Sequence, residues 1–434
     1  MGAESKKSRV SWVYSVFPIS VSSGPLGTMV QLYLIELNGL ALGTIYGGLA
    51  AAIFNGVSIP AALFWGLATD RLHRRRALIA FSYAVTAVVL VSFYFDHTTA
   101  GTIARYSAVS FVSVASATPL NLLIMETEKK DRWAGAFAKL SMVSSIGNVA
   151  GLILSTFWSQ ALPGQLILLF VPMGFFALAS TGLAVATISE PPFVFERETV
   201  ALRKPSLFSR LRAIPVFFIT VPKASDFRRS FRGLRSGLTS YVPLFYISTM
   251  MFYASSGLFN TSFVPAMHLY SLTDQEVFSV ILAGSVVQTL AFQGAGSYVS
   301  RRPLATSSIQ GLLLRGWSYV GMGVLALLVP NSYFLVPALI VYSLAAGVAF
   351  AVYYTSSNTM VFNTVQHKSA GAALGVYSAV VGIATMGGSL ASGFISVYLG
   401  FYTTFVISGV LLFAAVAIVA RMPRTSAGDS GFHH

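Results

Sequence analysis

Apolar residues run through this chain in long blocks, not at the alternating positions of a half-buried strand. Cut at charged or turn-rich breaks, the blocks fall at 11–36, 41–68, 77–95, 100–125, 134–159 and 165–188. They resume at 238–264, 275–299, 304–329, 332–361, 370–397 and 400–420. Each block is close to or above the roughly 20 residues that carry an α-helix across a bilayer. Lipid offers the backbone no hydrogen-bond partners, so such segments must close their own bonds as helices. A transmembrane β-barrel would alternate over segments of about 10 residues, which these blocks do not. The pattern therefore predicts an all-α membrane protein with twelve transmembrane helices in two six-helix bundles. The first bundle spans 11–188 and the second 238–421, joined by a hydrophilic linker at 189–237, with short ends at 1–10 and 422–434.

Composition narrows the class. Of 434 residues, 55% are hydrophobic and 10% charged, against about 25% charged in soluble domains. This excludes a large soluble enzyme with one greasy segment, and it excludes a disordered chain. With no cysteine, there is no disulfide framework, thiolate metal site or cysteine nucleophile. The basic start, Met1 to Arg9, precedes a long apolar run without an A-x-A-type cleavage site, so no signal peptide is expected.

The net charge of +14 acquires a meaning from its placement. Twenty-five of the 28 Lys and Arg lie in the N-terminus, the loops after spans 2, 4, 8 and 10, the linker and the C-terminus. The six loops on the other side carry none. That is the positive-inside pattern. It places both termini in the cytoplasm of a protein integral to the cytoplasmic (plasma) membrane, and nucleic-acid binding is not needed to explain the charge. In the linker, residues 205–215 mix basic and apolar side chains, which fits either an interfacial helix or a solvated stretch.

The two bundles carry traces of a repeat. Tyr106-Ser107 and Tyr342-Ser343, Ala134-Gly135-Ala136 and Ala370-Gly371-Ala372, and Gly151 and Gly387 all share one offset of 236 residues. The loop after span 2 is more specific. It reads Gly66-Leu-Ala-Thr-Asp70-Arg71-Leu-His73-Arg74-Arg75-Arg76. This resembles motif A of the major facilitator superfamily, G-x-x-x-D-[RK]-x-G-[RK]-[RK], with His73 where the family has Gly. The loop after span 8, Gly296 to Arg302, resembles a degenerate second copy with Ser300 at the Asp position.

The resemblance implies the family's fold and a secondary transporter that works by alternating access, with its solute site between the halves near the midplane. It implies that Gly66, Asp70, Arg71 and Arg75, with Glu126 as acidic partner, form a gate that latches the outward-open state. The glycine would let two helices come close.

Further candidates follow from polar residues inside the spans. In span 4, Arg105, Thr102, Tyr106, Ser110, Ser113, Ser116 and Asn121 fall within one half of a helical wheel, a face expected to line the cavity. Arg105 also sits roughly where the family's motif B places its arginine. No carboxylate lies near the midplane: Glu36, Asp96, Asp274 and Glu276 are outside, and Asp70 and Glu126 are at inner ends. Arg105 is thus expected to be unpaired and to favour an anionic solute, or a neutral one rich in acceptors. Coupling, if any, would fall to Glu36, to the gate carboxylates Asp70 and Glu126, or to Lys139, for which an ion pair with Glu126 is the plainer reading. Arg315, midway along span 9, reads as structural. Tyr246, Tyr253 and Asn260 in span 7, and Tyr354 and Asn358 in span 10, recur at helical spacing and could line the cavity as well as pack. Gly147, Gly151, Gly371, Gly375, Gly387 and Gly388 should let spans 5 and 11 approach their neighbours where the halves would slide.

No phosphate-binding G-x-x-x-x-G-K-[ST] loop occurs. The His residues are scattered, so neither an ATPase nor an enzyme is expected, and no metal or cofactor is implied. The partners expected are a small-molecule solute, protons or counter-ions, and the bilayer, with the chain monomeric. Multidrug efflux, a non-transporting sensor and a membrane enzyme stand as alternatives.

Overall fold

The computed structural model describes residues 11–72, 74–127, 133–188, 242–364 and 370–422. Among them there is no strand. The first helix, α1 (11–38), opens with the 3₁₀ turn Ser11–Ser15, continues as Val16–Ser23 and enters the long helix Leu26–Leu72. That helix is broken at Gly39, where φ is 75° and ψ 172°. L side chains avoid this region, so the glycine is what permits the turn between α1 and α2 (40–72). Then come α3 (Arg75–Ser92), α4 (Thr99–Thr127), α5 (Trp133–Ala161) and α6 (Leu166–Thr187).

The second half holds α7 (Val242–Leu269), α8 (Asp274–Ser300) and α9 (Leu304–Leu328). Next is α10 (335–364), in which a π-helical segment, Ser343–Ala349, joins Leu335–Tyr342 to Phe350–Thr364. The last two are α11 (Ala370–Leu399) and α12 (Phe401–Val419). Among the described residues these twelve helices are consistent with the twelve apolar blocks. The linker expected at 189–237 lies outside the described residues.

The helices run up and down, so alternate connections share an end. One end carries Glu36, Asp96, Asp274 and Glu276 and is called the acidic end here. The other, the basic end, carries Arg74, Arg75, Arg76, Arg301, Arg302 and Arg421. At the acidic end Thr273 and Glu276 form a capping box that starts α8. At the basic end Arg75 is buried and donates through Nη1 to the Thr69 carbonyl at 3.0 Å, satisfying a carbonyl near the end of α2.

Each half is held together by apolar packing and by serines that donate between helices. Ser180 donates to the Ser15 carbonyl and accepts from the Ile19 amide, tying α6 to α1. Ser110 on α4 reaches the Phe54 carbonyl on α2, and Ser255 on α7 the Ser408 carbonyl on α12. In lipid an unpaired hydroxyl has no water to turn to, which makes such bonds the natural solution. Large apolar side chains such as Val88, Phe157, Phe175 and Leu328 stay exposed on the outer surface, as expected where lipid is the solvent.

One expectation about the glycines is corrected. A β-carbon on Gly147 would meet the Phe17 carbonyl at 2.6 Å, and one on Gly151 would run into the Val21 carbonyl. Both therefore seat α5 on α1 within the first half and are not part of a sliding surface. Gly388 likewise seats α11 on Ala254 of α7 in its own half. Periodicity shows that a helix is narrow on one side, not which neighbour occupies that side.

Candidate functional site

The halves meet where the run Leu26–Leu72, which holds the end of α1 and all of α2, packs on α11 and α7, and along α5–α8. In the α2–α11 seam the close contacts lie between the acidic end and mid-helix. A β-carbon on Gly48 would stand 2.9 Å from the Ser389 carbonyl and 3.1 Å from Gly393 Cα. One on Gly393 would meet Ile45 Cα at 3.0 Å, one on Gly382 the Ile59 side chain at 2.7 Å, and one on Gly56 the Met386 sulfur at 2.8 Å.

Towards the basic end the picture reverses. Among the described residues, the β positions of Gly66, Gly294 and Gly296 have nothing within 4 Å. For Gly66 this corrects the expectation of a close helix approach: no described residue comes close to it in this conformation. Pro60 and Ala62 on α2, Ser113 and Asn121 on α4, and Ala138 and Ser141 on α5 are all exposed.

The polar arc of α4 divides accordingly. Thr102, Tyr106 and Ser110 are buried, with Tyr106 stacked on Phe54 at 4.3 Å and Ser110 bonded to its carbonyl. Ser113 and Asn121 are open, and Ser116 is buried. Half a helical wheel is wide enough to include both the edge packed on α2 and the edge facing free space, so the arc could not separate them. Ser113 and Ser116, with Tyr83, Ser22 and others from α1 and α3, border a cavity of about 40 Å³ inside the first half. The buried Tyr83 hydroxyl has no hydrogen-bond partner among the described residues.

Arg105 is not unpaired. Its Nη2 donates to Asp96 Oδ2 at 2.8 Å, and the guanidinium stands 5.9 Å from the Phe93 ring centre. α4 starts at Thr99, so Arg105 lies only six residues in, about 9 Å along the helix. That is near the acidic end, within reach of the preceding loop. The Asp96 carboxyl, bonded to the Thr98 side chain and amide and to Arg105, is held below the usual carboxylate range.

Other groups gather at the same end. His97 Nδ1 and the Tyr33 hydroxyl pair at 3.0 Å, and Thr99 donates to Asn38 at 2.9 Å. In the second half His268 Nε2 meets Asp274 Oδ1 at 2.9 Å, tying α7 to the start of α8. Glu36, on α1, lies close enough to Asp274 for the two charges to act on one another across the halves. The sequence signal for the His268 pair was the short turn before the Thr273 cap, which brings position 268 back beside 274.

Elsewhere the predicted residues scatter. Lys139 Nζ sits 5.0 Å from the Tyr14 ring centre. Asn260 and Tyr354 are exposed, while Tyr246, Tyr253 and Asn358 are half-buried. Tyr253 is joined by a residue the sequence did not single out, Tyr377 of α11, whose hydroxyl also pairs with Ser357 at 3.2 Å. The side chains of Asp70, Arg71 and Glu126 lie outside the described residues.

Comparison with known proteins fits this geometry. The model of the Major Facilitator Superfamily matches residues 245–433. The match covers less than half of the chain, so it is the second half that is similar to this superfamily. Among solved structures, the nucleoside transporter NupG superposes with a TM-score of 0.67 at 13% identity, covering 94% of this chain and 98% of its own. A peptide transporter, POT, in complex with alafosfalin gives 0.71 at 12%, covering 95% and 94%. A D-xylose-proton symporter gives 0.64 at 13%, covering 96% and 97%. At these identities the likeness is one of fold. No curated protein matches the chain by sequence. The fold these solved structures share thus extends over both halves, including the first, which the family match does not reach.

Proposed function

We propose that the chain is a secondary transporter that moves a small organic solute by alternating access, and that its described conformation is closed outside and open to the cytoplasm. The single observation that carries this is the asymmetry of the seam. The glycine contacts of α2 with α11 lie towards the acidic end, while Gly66, Gly294 and Gly296 meet nothing within 4 Å among the described residues towards the basic end. The positive-inside pattern makes the basic end cytoplasmic. A protein of this fold with one end sealed and the other parted presents a central site to one side at a time.

Motif A fits the same reading. Its residues Gly66 to Arg76 lie at the basic end, where a latch for the opposite, outward-open state would be unmade in the present one. The solute is small and organic by analogy with the nucleoside, peptide and xylose transporters that share the fold. The half-buried Tyr246, Tyr253 and Tyr377 offer it hydroxyls and ring faces.

The test is uptake of radiolabelled solutes into proteoliposomes holding the purified protein, with and without a pH gradient. Accumulation above protein-free vesicles supports transport, and its dependence on the gradient identifies proton coupling. Binding without flux across a broad panel would favour a sensor, and turnover of the solute would favour an enzyme.

A further inference from the structure

Arg315 sits midway along α9 and is 2% exposed. Its Nε donates to the Tyr319 hydroxyl at 2.7 Å. Three ring centres surround the guanidinium carbon: Phe252 at 4.8 Å, Phe350 at 5.2 Å and Tyr319 at 5.3 Å. Its Nη1 is sealed from solvent and has no hydrogen-bond partner among the described residues. The buried Tyr353 hydroxyl has the Thr249 and Ser357 hydroxyls beside it but makes no hydrogen bond of good geometry among the described residues, and it lies within reach of the Arg315 charge, its ring stacked on Phe252 at 3.8 Å.

A guanidinium stays charged in proteins, and an unbalanced charge in a low-dielectric interior is costly. The usual remedy is a carboxylate. From residue 238 onward the sequence holds three acids, Asp274, Glu276 and Asp429. The first two stand at the acidic end of the bundle, and the third lies outside the described residues. Aromatic faces offset part of the cost but leave Nη1 without an acceptor.

A second observation points to the same place. The π-helical segment of α10, Ser343–Ala349, ends at Phe350, one wall of the cage. π-Helical insertions inside α-helices occur frequently at functional sites. Phe350 in turn stacks on the exposed Tyr354 at 5.4 Å, so one ring separates the guanidinium from an accessible surface.

We propose that Arg315 anchors an anion-binding site inside the second six-helix bundle, with Nη1 and the Tyr353 hydroxyl as donors, which takes the carboxylate or phosphate group of an organic solute. The planar guanidinium favours such oxyanions over a halide. The anion enters when Phe350 turns aside, next to the π segment. That its occupant is the transported solute rests on the transport reading above; the binding itself does not.

The test is thermal unfolding of the purified full chain in detergent, titrated with sodium acetate, sodium phosphate or sodium chloride, for the wild type and for Arg315→Gln, Arg315→Lys and Tyr353→Phe. Acetate or phosphate should raise the wild-type midpoint with a saturable dependence that is absent in Arg315→Gln. Arg315→Lys, which keeps the charge and loses the fork, should bind about 10-fold or more weakly. Tyr353→Phe should bind severalfold more weakly, and it keeps the proposal testable if the arginine variants do not fold. The same saturable shift in Arg315→Gln, no saturable shift with acetate or phosphate in the wild type, or a shift with chloride alone would each overturn the assignment. Flux of solutes without anion binding would sink this inference and leave transport standing. Anion binding without flux would do the reverse.

Discussion

Gly48 of α2 and Gly393 of α11 face each other across the seam between the two halves, with the Gly393 Cα 3.1 Å from where a Gly48 β-carbon would lie. The obstruction is backbone on the α11 side, including the Ser389 carbonyl at 2.9 Å, so a side chain cannot simply rotate away.

This makes Gly48→Ala a wedge. Overpacking of this kind costs about 1–3 kcal/mol, and the cost falls only on the state in which the acidic end is closed. The closed population should drop by roughly 5- to 150-fold. Flux should fall while expression holds. A single cysteine in this cysteine-free chain, placed near the seam and probed for alkylation in each background, would show the shift directly.

Glu36 and Asp274 are expected to act with the opposite sign. They are like charges brought near one another from different halves when the acidic end closes, with His268 bonded to the second. Glu36→Gln removes one charge and should favour the closed state, slowing re-opening. An unchanged alkylation pattern in Glu36→Gln would remove Glu36 from the gate.

Arg105 and Asp96 behave as one unit in this structure, so Asp96→Asn, Arg105→Gln and the double variant should lower thermal stability by similar amounts. A double-mutant cycle measures this non-additivity. The pH dependence follows from the depressed Asp96 carboxyl. A lowered folded pKa gives a contribution present above the unfolded pKa and lost as pH falls through the folded one. The difference in melting temperature between wild type and Asp96→Asn should therefore be level from about pH 7 to pH 5 and shrink only in stronger acid. A difference that vanished already near pH 6 would contradict the pairing.

Orientation is tested by labelling intact cells. Cysteines at Thr98 or Asn331, both at the acidic end, should react with an impermeant reagent added outside. A cysteine at Ser206, in the basic linker, should not. The reverse pattern would invert the assignment of outside and inside.

The number and order of helices were legible because lipid forces both apolar length and internal hydrogen bonding onto each span. Even the break at Gly39 fell in the gap between the first two blocks. Side-chain partners were less legible. Asp96 precedes Arg105 by nine residues, but seeing the pair required knowing that α4 begins at Thr99. The glycines of α5 announced a close approach without naming α1 as its target. The cage around Arg315 is built by rings from α7, α9 and α10, and its missing counter-charge appears only once those helices are assembled.

The most direct measurement of alternating access is a pair of spin-label distances between the halves, Thr98 to Asn331 at the acidic end and Arg74 to Arg301 at the basic end, in lipid nanodiscs. It would be made on the wild type, Gly48→Ala and Glu36→Gln. The two distances should change in opposite directions, with the acidic-end pair lengthening and the basic-end pair shortening in Gly48→Ala, and the reverse shift in Glu36→Gln. Distances that stay the same in all three proteins, or that lengthen together, would contradict a transporter that opens one end by closing the other.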